Sequence, residues 1–172
     1  LPIMVDPLVM YWNRVIFTDA KKTTPPKYWD EFYALALDIS KKDGALNISR
    51  SLVSFGEYRN VTNAKEIIST LMMQAGTPIV EKVAGEVRVG LSESYGRPLI
   101  PSEAAVNFYT EFGNPSKPFY SWNRSMPLSL AYFLSGDMAL YFGFASEIFD
   151  IQLKNPNLNF DVASIPTSRE GG

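Results

Sequence analysis

The residue types behind most enzymatic chemistry are missing from this chain. It has no histidine and no cysteine. Ser-His-Asp and Cys-His catalysis, zinc sites with nitrogen or sulfur ligands, and disulfides are thereby removed. Carboxylates, amides, hydroxyls and aromatic rings remain. Two acid pairs stand close together, Asp30 with Glu31 and Glu147 with Asp150. The first suits the opening turn of a helix, where the backbone dipole favours negative charge. The second is spaced by one helical turn and reads as a solvated face. A glycosidase needs two carboxylates facing each other across a cleft, and nothing in this spacing places a pair that way.

The other residues able to meet a ligand sit at turns and helix starts. Asp6 precedes Pro7, where its carboxylate either accepts hydrogen bonds from ligand hydroxyls or closes a turn. Glu57, Tyr58 and Asn63 belong to a polar loop, "GEYRNVTN", that leads into a helix. The N–H groups of a helix start point outward and can meet a ligand. Asn63 reads as a helix cap or as a contact, with Glu66 completing a capping box. Trp122 is a loop tryptophan, either a stacking platform or a cover for the core. Phe144 follows Gly143 and reads as core or contact, and Ser146 as helix cap, contact or both.

Composition bounds the rest. The 172 residues, 46% of them hydrophobic, suffice for one domain with a sizeable core. Sixteen Lys and Arg against 18 Asp and Glu give a formal charge of -2, with no basic block, so nothing points to nucleic acid. No apolar run approaches the ~18 residues of a membrane span. No motif asks for a cofactor or metal.

The elements that must position these residues follow from periodicity. Leu8–Trp12 reads as a buried strand and 13–20 as one or two helical turns. The adjacent prolines Pro25 and Pro26 make 21–27 a loop. Trp29, Phe32, Ala36 and Ile39 predict a helix over 28–41, ended by Gly44. A weak strand follows over 46–55. Ile67, Ile68, Leu71 and Met72 predict a helix from Ala64 to near Gly76. Residues 77–100 read as loop with at most a small hairpin. A helix spans 102–112, with Gly113 at its C′ position, and a short one spans 127–135, with Pro127 in its first turn. Met138–Phe142 is a strand broken by Gly143, 146–154 a helix, and 160–165 a last strand. The order predicts an α/β layer sandwich.

Three segments in order resemble a known family. "LPIMVDPLVMYWNRVIFTDA" with "PPKYWDEFYALA" is similar to the mid-chain stretch of extracellular solute-binding proteins of the sugar-binding, maltose-binding-protein-like type. "NAKEIISTLMMQAG" resembles their next helix, and "FLSGDMALYFGFASEI" with "LNFDVASIP" their late pattern, with Leu140 where Met is usual. The resemblance implies one lobe of a two-lobed, type II periplasmic-binding-protein-like clamshell. Residues 1–13 would supply a crossing strand on the hinge side, and 160–172 a return strand toward a first lobe. The chain would then be a fragment of a longer protein, entered in mid-strand at Leu1.

The implied function is ligand capture for an ABC importer, with a sugar or oligosaccharide in the inter-lobe cleft. A membrane permease would be the partner. The parent would be extracytoplasmic, secreted or lipid-anchored, and not an enzyme. An aromatic residue that often packs on sugar in such proteins falls here at Ser146, so that role passes to Phe144 or Trp122. The alternatives are a glycosidase-like enzyme and a ligand-sensing receptor lobe.

Overall fold

The computed structural model describes residues 3–169. Strand β1 (Leu8–Asn13) ends at Asn13, whose side-chain oxygen accepts from the N–H groups of Val15 and Ile16 and so caps α1 (Arg14–Asp19). The Asn13 amide also donates to the carbonyl of Gly136 at 3.2 Å, tying this corner to the start of a later strand.

Helix α2 (Glu31–Ile39) begins three residues later than its apolar spacing predicts. The cause lies far along the chain. Tyr28 pairs with Thr167 in a β-bridge, and the Trp29 N–H donates to the Thr167 carbonyl. The helix also stops before Gly44, because Lys41–Lys42 forms a short strand β2 against β3 (Ile48–Val53). The Lys42 ammonium then donates to the carbonyls of Pro118 and Tyr120.

Helix α3 (Ala64–Gln74), the hairpin β4 (Val80–Val83) with β5 (Glu86–Val89), and α4 (Pro101–Glu111) follow the sequence reading closely. Helix α5 (Ser129–Leu134) starts two residues after Pro127, which lies outside it. Strand β6 (Met138–Phe144) runs straight through Gly143 rather than breaking there. Helix α6 (Glu147–Lys154) and strand β7 (Phe160–Ala163) complete the order. Residues 3–7, expected as part of a crossing strand, have no regular structure, while 1–2 and 170–172 lie outside the described residues.

The main sheet has the order β2-β3-β6-β1-β7. Strand β3 is parallel to β6, whereas β1 is antiparallel to both β6 and β7. Residues alternate between faces along a strand. On one face Phe142 meets Phe32 of α2 and Trp29 just before that helix, with Phe55, Phe108 and Phe112 in the same aromatic cluster. On the other, Tyr141 lies opposite Tyr11 and stacks with Phe133 of α5. Helices therefore cover both faces of the sheet, which is the α/β sandwich expected.

Gly113 does not take the left-handed conformation of a C′ glycine. Its reason is space: Gly113 and Gly56 meet backbone to backbone. A Cβ on Gly56 would fall 2.4 Å from the Gly113 nitrogen, and Gly56 itself has φ +98°. Gly56→Ala should therefore cost about 1–3 kcal/mol. It would be read as a lower urea midpoint at unchanged slope.

Candidate ligand-binding face

Because β3 and β6 are parallel, both end on the same side of the sheet. Loop 54–63 leaves β3 there and leads into α3, and turn 145–146 leaves β6 and leads into α6. Antiparallel β1 starts at that side, with Leu8 opposite Phe144. Residues 3–7 therefore arrive beside the same two loops. Ligands of open α/β sheets bind outside the carboxyl ends of the strands. Six of the seven candidate residues, Asp6, Glu57, Tyr58, Asn63, Phe144 and Ser146, lie on these segments.

The seventh does not join them. Trp122 is fully buried, packs edge-on against Tyr132, and offers no stacking face. Its apolar body is worth more inside the core than on a loop surface. Phe144 is half-buried at the strand end, while the Tyr58 ring is 64% exposed.

Asp6 and Ser146 are partners. The Asp6 carboxylate accepts from the Ser146 N–H at 3.0 Å and from its hydroxyl at 2.7 Å. Ser146 has helical backbone angles and makes no side-chain cap. A capping side chain normally comes from an extended residue, and here Asp6 supplies the acceptor from 140 residues away.

Asn63 also departs from its expected role. It is left-handed, with φ 61°, and its side chain makes no cap bond, so the capping box with Glu66 is not formed. Its amide instead donates to the Phe142 carbonyl at 3.3 Å and to Glu147 Oε1 at 3.0 Å. Asparagine tolerates this backbone region better than most residues.

Glu147 and its tyrosine neighbours are what the sequence reading missed. Glu147 was read with Asp150 as a solvated face, but only Asp150 is one, beside Lys154. The Glu147 carboxylate also takes the Phe144 N–H at 2.8 Å and the Tyr141 hydroxyl at 2.6 Å. The available signal was Gly143, a glycine inside a buried strand four residues earlier. The Tyr11 hydroxyl donates to the Phe144 carbonyl at 2.7 Å, bracing the same turn from β1. On the other loop, Glu57 pairs with Arg124 at 3.3 Å, and its carbonyl accepts from the Tyr109 hydroxyl at 2.6 Å.

The acid pairs do not face each other across a cleft. Asp30 and Glu31 both engage Arg169, and Glu147 is taken up by three donors. Among the described residues no cluster of His, Cys, Asp and Glu could hold a metal, and no helix is long and apolar enough to cross a membrane. An open cavity of about 460 Å³ lies elsewhere, between α2, α3 and α4, lined chiefly by Trp29, Tyr33, Leu71, Ala75 and Phe108. Asp30, Ser168 and Arg169 also line it, with Arg169 paired to Asp30 and Glu31. None of the seven candidate residues lies there.

A helix-covered α/β sheet whose parallel strands end in two polar loops belongs to the class of folds that take ligands at the carboxyl ends of their strands. The family comparison agrees with that class. The chain belongs to the bacterial extracellular solute-binding proteins, whose family model matches residues 1–172. A comparison with curated proteins finds no match. Membership assigns the chain to solute binding for transport, in an extracytoplasmic setting.

The tyrosines around this face carry a pH signature. Burial, then the charges of Glu147 and Asp6, push Tyr11 from the ordinary 10.0 up to about 12. Burial first, then the bond to Glu147, raise Tyr141 further, and burial with the Glu57 charge raises Tyr109. A phenol whose value is higher folded than unfolded stabilises the fold fully below its unfolded value. Stability should therefore hold below about pH 10 and fall as pH climbs from there through about 12. Phenolate absorbance followed alongside unfolding in an alkaline titration checks this, with the late phenolates appearing as the fold is lost.

Proposed function

We propose that this chain is one lobe of a two-lobed capture protein, and that it holds a sugar or oligosaccharide for an ABC-type importer. The observation that carries the reading is the shared end of β3 and β6, where both following loops present polar groups. Exposed Tyr58 supplies an apolar ring for a sugar face, and Asp6 with Ser146 supplies acceptors and a hydroxyl. Glu57 and Arg124 extend the polar rim. The second lobe would close over this side about a hinge near residues 3–7 and 164–169. Ligand binding would bias that closure by its differential affinity for the open and closed forms. The closed form would then dock on a membrane permease. In this reading nothing is transformed chemically, and the pairs Asp30 with Glu31 and Glu147 with Asp150 are taken up by Arg169, by local donors or by solvent rather than facing each other.

Half a cleft should bind weakly, and NMR shift mapping reads weak binding directly. The chain would be titrated with maltotriose, cellotriose and xylotriose, and each sugar recovered and analysed. The expected outcome is saturable shifts at Tyr58, Asn63, Phe144 and Ser146 for at least one sugar, recovered intact. Hydrolysis would sink the capture reading. Shifts confined to the cavity between α2, α3 and α4 would move the site. No shift with any of the three would remove the sugar assignment.

A further inference from the structure

Glu147 is the first residue of α6, yet none of its three donors belongs to α6. Oε2 takes the hydroxyl of Tyr141, inside β6. Oε1 takes the N–H of Phe144, at the end of β6, and the amide of Asn63, the residue before α3. One half-buried carboxylate thus spans both loops of the ligand face. A charged acceptor makes each of these bonds stronger than its neutral counterpart.

Two neighbouring residues fit this arrangement and are hard to explain otherwise. Asn63 adopts a left-handed backbone and gives up capping its helix, and its amide is thereby turned onto Glu147 and Phe142. Gly143 is not in the left-handed region, so conformational freedom is not its reason. A Cβ there would sit 2.6 Å from the Tyr141 ring and 2.9 Å from Glu147 Oε1. The residue is glycine because the carboxylate and the ring occupy that space.

We propose that Glu147 is the positioning residue of the ligand face: its carboxylate locks loop 56–63 to turn 143–146 before any solute arrives. It touches no solute itself. It holds Asn63 and Phe144, and with them Tyr58 and Ser146, at fixed separation. Fixing a site in advance lowers the ordering cost of binding. The inference rests on the ligand face assigned above.

The test compares Glu147→Ala and Glu147→Gln in this chain, by amide hydrogen exchange and by titration with the sugar that shifts the parent. In E147A the amides of residues 57–63 should exchange at least about tenfold faster, while those of β1 and β3 stay within about twofold. E147Q should remain within about threefold of the parent. Its carboxamide oxygen still accepts from Phe144 and Asn63, and the Tyr141 hydroxyl can turn to accept from its nitrogen. Sugar affinity should fall about tenfold in E147A and return in E147Q. If E147A does not fold, Gly143→Ala displaces the carboxylate without deleting it and should show the same split.

Unchanged exchange in 57–63, or equal acceleration of loop and strands, would overturn the proposal. So would unaltered sugar affinity in E147A. If no sugar shifts the parent protein, the sugar assignment fails, and the exchange comparison still decides whether Glu147 is the tether.

Discussion

The burial of strand β6 is the constraint on which the rest depends. Met138 to Gly143 are all buried, so this strand has no face to give to water. Such a strand must be covered on both sides and paired on both edges. Helix α2 meets it through Phe32 on Phe142, and α5 through Phe133 on Tyr141. Its edges are filled by β3, parallel, and β1, antiparallel. A parallel neighbour requires a long crossover, and α3, the hairpin, α4 and α5 all lie within it. It also makes both strands end together. The proposed ligand face is thus a by-product of how one strand is buried.

That face is held by polar contacts laid over an aromatic interior. The buried tyrosine hydroxyls near it have acceptors: Tyr11 on the Phe144 carbonyl, Tyr141 on Glu147, Tyr109 on the Glu57 carbonyl. The rings are buried and the hydroxyls aim at the loops, so packing energy and loop placement come from the same side chains. This arrangement also explains why buried phenols cluster here, since each needs a partner to be buried at modest cost.

Much of this was legible in the sequence, and the failures share a cause. Helices α3 and α4 and strand β1 rest on local periodicity and turn residues, and their bounds agree with the reading to within two residues or so, while the hairpin falls inside 77–100, read as loop with at most a small hairpin. The start of α2 was misread because Thr167 pairs with Tyr28 across the length of the domain. Asn63 and Ser146 each read as a cap of its own helix or as a contact, and local rules supply only the cap. Their partners are instead Glu147, 84 residues away, and Asp6, 140 away. The loop position of Trp122 was plain, but whether a loop ring lies under or over its neighbours is decided by tertiary packing. Gly143 was visible as an anomaly, and only the position of Glu147 explains it.

The placement of the tryptophans has a practical consequence. Trp122 is sealed in the core, Trp29 lies almost buried against Phe142, and Trp12 packs edge-on against Phe17 near the opposite end of the sheet. No indole is exposed where the two polar loops meet. The exposed rings nearby are those of Tyr58 and Phe149, both with far weaker emission. Fluorescence, the convenient reporter for many binders, would be nearly blind to events on this surface. It would still report faithfully on loss of the core, so an unchanged emission spectrum here would speak for intact packing and say nothing about an empty or filled cleft.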